Sequence, residues 1–219
     1  LISLGVQFEN MLSIFEISSG VVVKNSVILG NIPQNQIKVD PFVESSHIQF
    51  VTVGNNACLT IWRYDTEAHT LSDFSVSSPE NLSSTNFLSI EFTHYLPAPV
   101  STYYIVIGAS DGSLVAYDQQ KNQYVELGTR GQIIDRSYAA IGCISIKSNC
   151  VVVGNADGII AAYPIMGSSV QPVDTDNVYT HDIGSAIVAI CMDEMNNEGL
   201  IGTEAGGIHY VNFFENMVI

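Results

Sequence analysis

The sequence predicts an all-β fold assembled from repeated four-stranded units, and three observations predict it. First, one pattern recurs along the chain: an apolar run, a glycine, a short polar turn and a second apolar run that ends near an aromatic residue. The marker glycines Gly5, Gly54, Gly108, Gly154 and Gly202 lie 49, 54, 46 and 48 residues apart. Second, the runs before the glycines are rich in Val and Ile, which pleated strands favour, and no stretch of helical period separates the hairpins. Third, shorter apolar runs flank most hairpins, which brings the count to about four strands per unit. Four strands in a repeat of this length match one blade of a β-propeller. A blade cannot bury both faces alone, so its neighbours must cover them, and its strands then read almost continuously apolar. A sandwich or barrel gives no reason for five in-phase copies of one hairpin.

The units follow in order. Hairpins are predicted near residues 1–17, 48–64, 102–118, 149–165 and 198–214. Their sequences include LISLGVQFENMLSIFEI, FVTVGNNACLTIWRYD, YIVIGASDGSLVAYD, VVVGNADGIIAAYPI and GLIGTEAGGIHYVNF. The turns Ser110-Asp111-Gly112 and Ala156-Asp157-Gly158 carry Asp-Gly, the signal of a two-residue hairpin loop in which Gly takes positive φ and Asp tolerates it. NFLSIEF, AAIGCISI and SAIVAICM are candidate strands before a hairpin. GVVVKNSVI, LSDFSVS and NQYVELG are candidate strands after one. NIPQNQIKVDPFVESSH reads as a long loop, and VDTDNVYTHD as a solvated loop between units. Residues 1–219 are therefore expected to form part of one propeller. Five units fall short of seven, so an incomplete ring is expected, with the missing strands supplied by a longer parent chain.

At these residues the chain resembles the WD-repeat family, whose signature closes the third strand of a blade with Trp-Asp. The matching pairs are read as Phe15-Glu16, Trp62-Arg63, Tyr117-Asp118, Tyr163-Pro164 and Val211-Asn212. Tyr117-Asp118 is close to the signature and Val211 departs from it. His181 precedes SAIVAICMDE much as the family's histidine precedes a first strand, and is read as a structural blade histidine. The other blades show no such histidine, which puts the family's buried network of His, Asp, Ser or Thr and Trp in doubt. The resemblance implies a WD40-type propeller of seven blades acting as a protein-interaction scaffold, and Trp62 is expected to be buried between neighbouring blades.

A narrower resemblance lies in AIVAICMDEMNNEGLIGTEAGGIHYVNF and FVTVGNNACLTIWRYD, which are similar to blades of the large tandem-propeller proteins of centrioles and ciliary axonemes. It implies a cytoplasmic, cytoskeletal scaffold in a cilium, flagellum or centriole, with axonemal or centriolar proteins as partners.

Composition narrows the function classes. Hydrophobic residues make up 47% of the chain, enough for buried cores. No apolar run reaches the roughly 18–20 uncharged residues of a membrane helix, so no membrane contact is expected. Net charge is −15, with seven scattered Lys and Arg. Nucleic-acid binding needs clustered cations that displace counterions from phosphate, so it is not expected. Tubulin presents an acidic surface, so charge also argues against direct tubulin contact through this segment. Cys58, Cys143, Cys150 and Cys191 form no CxxC pair and are read as reduced, buried thiols.

No catalytic constellation stands out. Asp111 and Asp157 belong to turns. The five histidines show no HxH or HxxxH spacing, so no metal or other cofactor is expected. GxSxG is absent, and GNADG and GASDG sit inside hairpins rather than between a strand and a helix. Asp174, Asp176 and Asp182 lack the Gly and terminal Glu of an EF-hand. The leading reading is a non-catalytic scaffold. A vesicle-trafficking propeller and an enzymatic propeller with channel-facing carboxylates are the alternatives. Partners are expected on the loops at one end of the blades, with Arg130, Arg136 and Tyr138 as anchors by residue type.

Overall fold

The computed structural model describes residues 2–5, 11–28, 32–41, 46–93, 104–128, 134, 138–147, 150–164, 179–193, 198–213 and 217–218. These form antiparallel sheets in which each strand pairs with the next in sequence. Sheet I comprises β1 (Ile2–Gly5), β2 (Met11–Phe15) and β3 (Val22–Ile28). Sheet II comprises β4 (Gln34–Val39), β5 (His47–Gly54), β6 (Cys58–Asp65) and β7 (Thr70–Val76). Sheet III holds β8 (Phe87–Phe92), β9 (Tyr104–Ala109), β10 (Leu114–Asp118) and β11 (Gln123–Gly128). Sheet IV holds β12 (Ile141–Lys147), β13 (Cys150–Asn155), β14 (Ile159–Pro164) and β15 (Tyr179–Asp182). Sheet V holds β16 (Ile187–Met192), β17 (Glu198–Thr203), β18 (Ile208–Asn212) and β19 (Met217–Val218). The only helix among the described residues is a single 3-10 turn, Glu80–Leu82. The chain divides into two compact units, Leu1–Phe87 with sheets I and II, and Leu88–Ile219 with sheets III to V; β8 begins at the boundary.

In the first unit, Leu12 and Ile14 of β2 share a core with Phe50, Trp62 and Tyr64 of sheet II. Trp62 is 3% exposed, so it is buried between two neighbouring sheets as expected. Its ring stacks on Phe50 with centroids 6.0 Å apart, and its indole N–H donates to Thr52 Oγ1 at 3.0 Å. The Trp and Thr members of a blade network are therefore joined here.

In the second unit, alternation along the strands feeds two cores. On β13, Val151 and Val153 face sheet III, in a cluster with Val106, Leu114 and Ala116, while Val152 joins Ile187, Ile201 and Val211 of sheet V. Both faces of sheet IV are covered, which accounts for its continuously apolar sequence.

Four readings from sequence are corrected. Gln34–Val39 is a strand, not a loop: its mostly polar side chains are half-buried, so the apolar signal of a strand is missing. Tyr179–Asp182 is likewise an outer strand paired with β14, rather than part of a loop, whereas Asp174 and Asp176 lie outside the described residues. His181 stands exposed on that strand opposite Ile160, so it is no buried structural histidine. The Asp-Gly turns are not two-residue loops. Only Gly112 and Gly158 take positive φ (80° and 87°), and the Gly112 and Gly158 N–H groups donate to Ala109 and Asn155 carbonyls. This is the three-residue loop in which a left-handed Gly follows an ordinary turn. Asp111 serves it by accepting from the N–H and hydroxyl of Ser113.

The signature register is also corrected. Asp118 Oδ1 accepts from the N–H groups of Gln120 and Lys121, and Tyr117 donates its hydroxyl to Asn122 Oδ1. In sheet II the same corner is built by Tyr64-Asp65, not by Trp62-Arg63. Asp65 Oδ1 accepts from the N–H groups of Glu67 and Ala68, and the Tyr64 hydroxyl lies 2.8 Å from His69 Nδ1. His69 and Asn122 take φ of 52° and 53°, and Gly20, at the equivalent place after Phe15-Glu16, takes 68°. Counted from the turn, Trp62 keeps the position of Tyr117, but β6 runs two residues further before its corner, so the aromatic-acid pair shifts to Tyr64-Asp65 on the same face.

Candidate partner-binding loops

In sheets II, IV and V, the turn between second and third strands is pinned to the residue that leads into the first strand. Asn55 N–H donates to Pro33 C=O, Ala156 N–H to Ala140 C=O, and Glu204 N–H to Ala186 C=O, at 2.9–3.0 Å. Each turn also meets the segment entering the following sheet. In the first unit, Ala57 N–H donates to Thr85 C=O, and Ser78 Oγ donates to the carbonyls of Asn56 and Ala57. In the second unit, the Gly112 backbone lies against Tyr138 and Ala139, and Ile183 N–H donates to Gly158 C=O at 2.9 Å. One end of the second unit thus gathers Ser110–Gly112, Tyr138–Ala140, Ala156–Gly158, Ile183–Ala186 and Glu204–Gly206 on a backbone-bonded frame.

Tyr138 stands on this end and is 64% exposed. A rigid aromatic held by ordered backbone loses little conformational freedom on binding, which is why such residues anchor interfaces. Arg130 and Arg136 lie outside the described residues. The carboxylates of Asp157, Asp182 and Glu204 are exposed on the described part of this end, and Asp182 also accepts from Gly184 N–H. The described part is therefore acidic and suits a basic or apolar partner segment.

At the start of β5, Ser46 Oγ lies 2.7 Å from His47 Nδ1, and His47 Nε2 lies 3.5 Å from Asp65 Oδ2. Sequence reading missed this cluster, because its acid is 18 residues away and arrives through the β5–β6 pairing of His47 with Asp65. Asp65 is held below the usual carboxylate range, first by the Ala68 and Glu67 N–H groups and then by the two histidines. The Ser46 carbonyl is fixed by the N–H and hydroxyl of Thr66. The cluster ties the start of one strand to the end of the next. Burial pushes the Cys143 thiol up to about 12 and Cys150 to about 11. Only Cys143 is fully buried; Cys58 and Cys150 are half-buried and Cys191 is exposed, which corrects the reading of four buried thiols.

No family profile and no curated protein matches the sequence. Solved structures do match the fold. Saccharomyces cerevisiae Sqt1 superimposes with a TM-score of 0.70 at 13% identity, over 95% of this chain and 54% of its own. The β-propeller domain of Myceliophteria thermophila Cps50 (Swd1) gives 0.65 at 10% identity, over 95% of this chain and 66% of its own. The fold is a WD40-type β-propeller. The computationally designed Ika8 protein is similar at a TM-score of 0.61 and 16% identity, over 96% of this chain and 55% of its own. The chain thus spans about half to two-thirds of the length of the solved propellers it matches. Sheets II to V are complete four-stranded blades of this fold, and within the second unit the loop end just described is where the second-to-third turns of its blades gather.

Proposed function

We propose that this chain is a non-catalytic protein-interaction scaffold that binds partner segments at the loop end of its blades. The observation that carries the reading is the exposed Tyr138 seated beside Gly112, on turns whose backbones are bonded to the loops around them. Arg130 and Arg136 precede Tyr138 in the sequence, by eight residues and by two. Crosslinking with peptide mapping tests this. Partners should map to residues 109–112, 130–140, 155–158, 180–186 and 203–206, and a Tyr138→Ala variant should weaken binding by about tenfold or more. Partners mapped only to the opposite end contradict it.

The setting we propose is the cytoskeleton of a cilium, flagellum or centriole. The support is the similarity of the second and fifth hairpins to the tandem propellers of those structures. With a charge of −15, the segment would reach microtubules through axonemal or centriolar proteins rather than by gripping acidic tubulin. Microtubule co-sedimentation of residues 1–219 at low and moderate salt tests this. The segment should stay in the supernatant at both; tight binding that weakens with salt would reveal a basic patch and overturn the indirect route.

A further inference from the structure

The turn between β5 and β6 differs from its counterparts. In sheets III, IV and V a glycine takes the positive φ of that turn: Gly112, Gly158 and Gly206. In sheet II two residues with side chains do so, Asn56 at 56° and Ala57 at 50°, in a two-residue loop closed by Cys58 N–H on Asn55 C=O. Asparagine tolerates this region, but an alanine there holds its Cβ against the backbone with no polar group to compensate. Such a conformation persists only where the surroundings fix it.

One segment, residues 78–86, does the fixing. Ala57 N–H donates to Thr85 C=O at 2.6 Å, and Asn56 N–H to Asn86 Oδ1 at 3.2 Å. Ser78 Oγ lies 3.1 Å from the Asn56 carbonyl oxygen and 3.0 Å from that of Ala57. One hydroxyl therefore serves the carbonyls of both left-handed residues. Ser78 is half-buried, between an exposed Ser77 and the half-buried Pro79, and Glu80 beyond is exposed. Residues 77–79 belong to no strand or helix, and Pro79 is extended, at φ −61° and ψ 139°. The latch of the strained turn is thus a Ser-Pro dipeptide at the surface, in a segment that needs little rearrangement to lie extended in a kinase cleft.

We propose that Ser78 is a phosphorylation site for a proline-directed serine kinase, and that phosphate on it unlatches the β5–β6 turn. The Ser78 oxygen attacks the γ-phosphorus of a nucleoside triphosphate. The bond from that phosphorus to the β-phosphate oxygen breaks, the nucleoside diphosphate leaves, and the hydroxyl proton passes to the carboxylate base of the kinase. The product carries a charge of about −1.5 to −2 at pH 7, and its oxygens accept hydrogen bonds. The Asn56 and Ala57 carbonyls also only accept, so the two latch bonds are replaced by repulsion. Ser78 must leave those carbonyls to enter a kinase, so the modification traps an opened state that local fluctuation already supplies.

Treatment of the purified chain with a proline-directed kinase and ATP, read by phosphopeptide mass spectrometry and amide hydrogen exchange, tests this. Phosphate should map to Ser78. Exchange of residues 55–58 should then rise by about tenfold or more, while that of β9 and β10 stays unchanged. Ser78→Glu should reproduce the rise without a kinase, and Ser78→Thr, which keeps the donor, should exchange like the parent. Phosphate on Ser77 instead, or none on Ser78 after exhaustive treatment, overturns the site. Unchanged exchange at residues 55–58 in Ser78→Glu overturns the latch, and a rise that spreads to β9 and β10 overturns the local switch by showing general unfolding.

Discussion

Sheets IV and V are copies of one repeat with different surroundings. On sheet IV, Val152, Gly154, Ile160 and Cys143 lie under sheet V, and on its other face Val151, Val153 and Ala161 lie against sheet III. On sheet V the equivalent Leu200, Gly202, Ile208 and Ala189 carry the same apolar character, but Leu200 and Ile208 are in water. The residue types are nearly the same, so composition does not decide which face is buried; the presence of a neighbour does. An apolar face in this repeat is a contact surface, and a glycine in it marks where that contact is closest.

Comparing covered with open positions yields graded predictions. The largest effect is expected at the buried indole. Trp62→Ala should destabilise by about 3–5 kcal/mol, while Ile208→Ala on the open face should stay within about 0.5 kcal/mol, measured by thermal or denaturant unfolding of residues 1–219. An unchanged midpoint for Trp62→Ala would show that the sheet I–II core is not where the stability lies. Next comes a pair of glycines at one repeat position, Gly154 under sheet V and Gly202 on the open face of sheet V. Gly154→Val should cost about 1–3 kcal/mol through overpacking against Ile187, and Gly202→Val should be near neutral. Equal costs at the two glycines would remove the distinction between a covered and an open face.

The smallest effect is a pH dependence. Burial raises the Cys143 thiol to about 12 from an ordinary 9.0, so the neutral form is the one the fold favours. The unfolded chain starts to lose its proton near pH 9.0 while the folded chain keeps it. The stability tied to this group is therefore fully present below pH 9.0 and is lost as pH rises towards 12. Alkaline denaturation should be shallower for Cys143→Ala than for the parent, and an identical pH profile would place the thiol in water.

Much of the fold was legible in the sequence, and the losses have physical causes. The hairpins announce themselves because both faces are buried, which leaves long Val and Ile runs such as VVVGN, and because turns need Gly at positive φ. The outer strands are harder. β4 and β15 use Gln, Asn, Thr and His on half-buried or exposed edges, where alternation is weak and polar residues are tolerated. The Tyr64-Asp65 corner was obscured by Trp62 two residues earlier on the same face. It is nonetheless readable as aromatic, acid, three residues, then Gly, Asn or His. Of the proposed anchors, Tyr138 is placed on the loop end, while Arg130 and Arg136 fall outside the described residues. The Ser46–His47–Asp65 cluster depends on strand register, which no local motif encodes. Exposure of Cys191 was unreadable because VAICMD looks as buried as IGCISI, although a neighbouring sheet covers only the second.

That pair of cysteines offers the most direct measurement. Cys143 and Cys191 sit on corresponding faces of sheets IV and V, opposite Gly154 and Leu200 respectively. In native residues 1–219 at pH 8, iodoacetamide should modify Cys191 rapidly. Cys143, buried and with its thiol raised to about 12, should react only on unfolding. Rapid modification of Cys191 with Cys143 protected is the outcome the repeated, one-sided stacking predicts. Comparable rates at the two thiols under native conditions would contradict it.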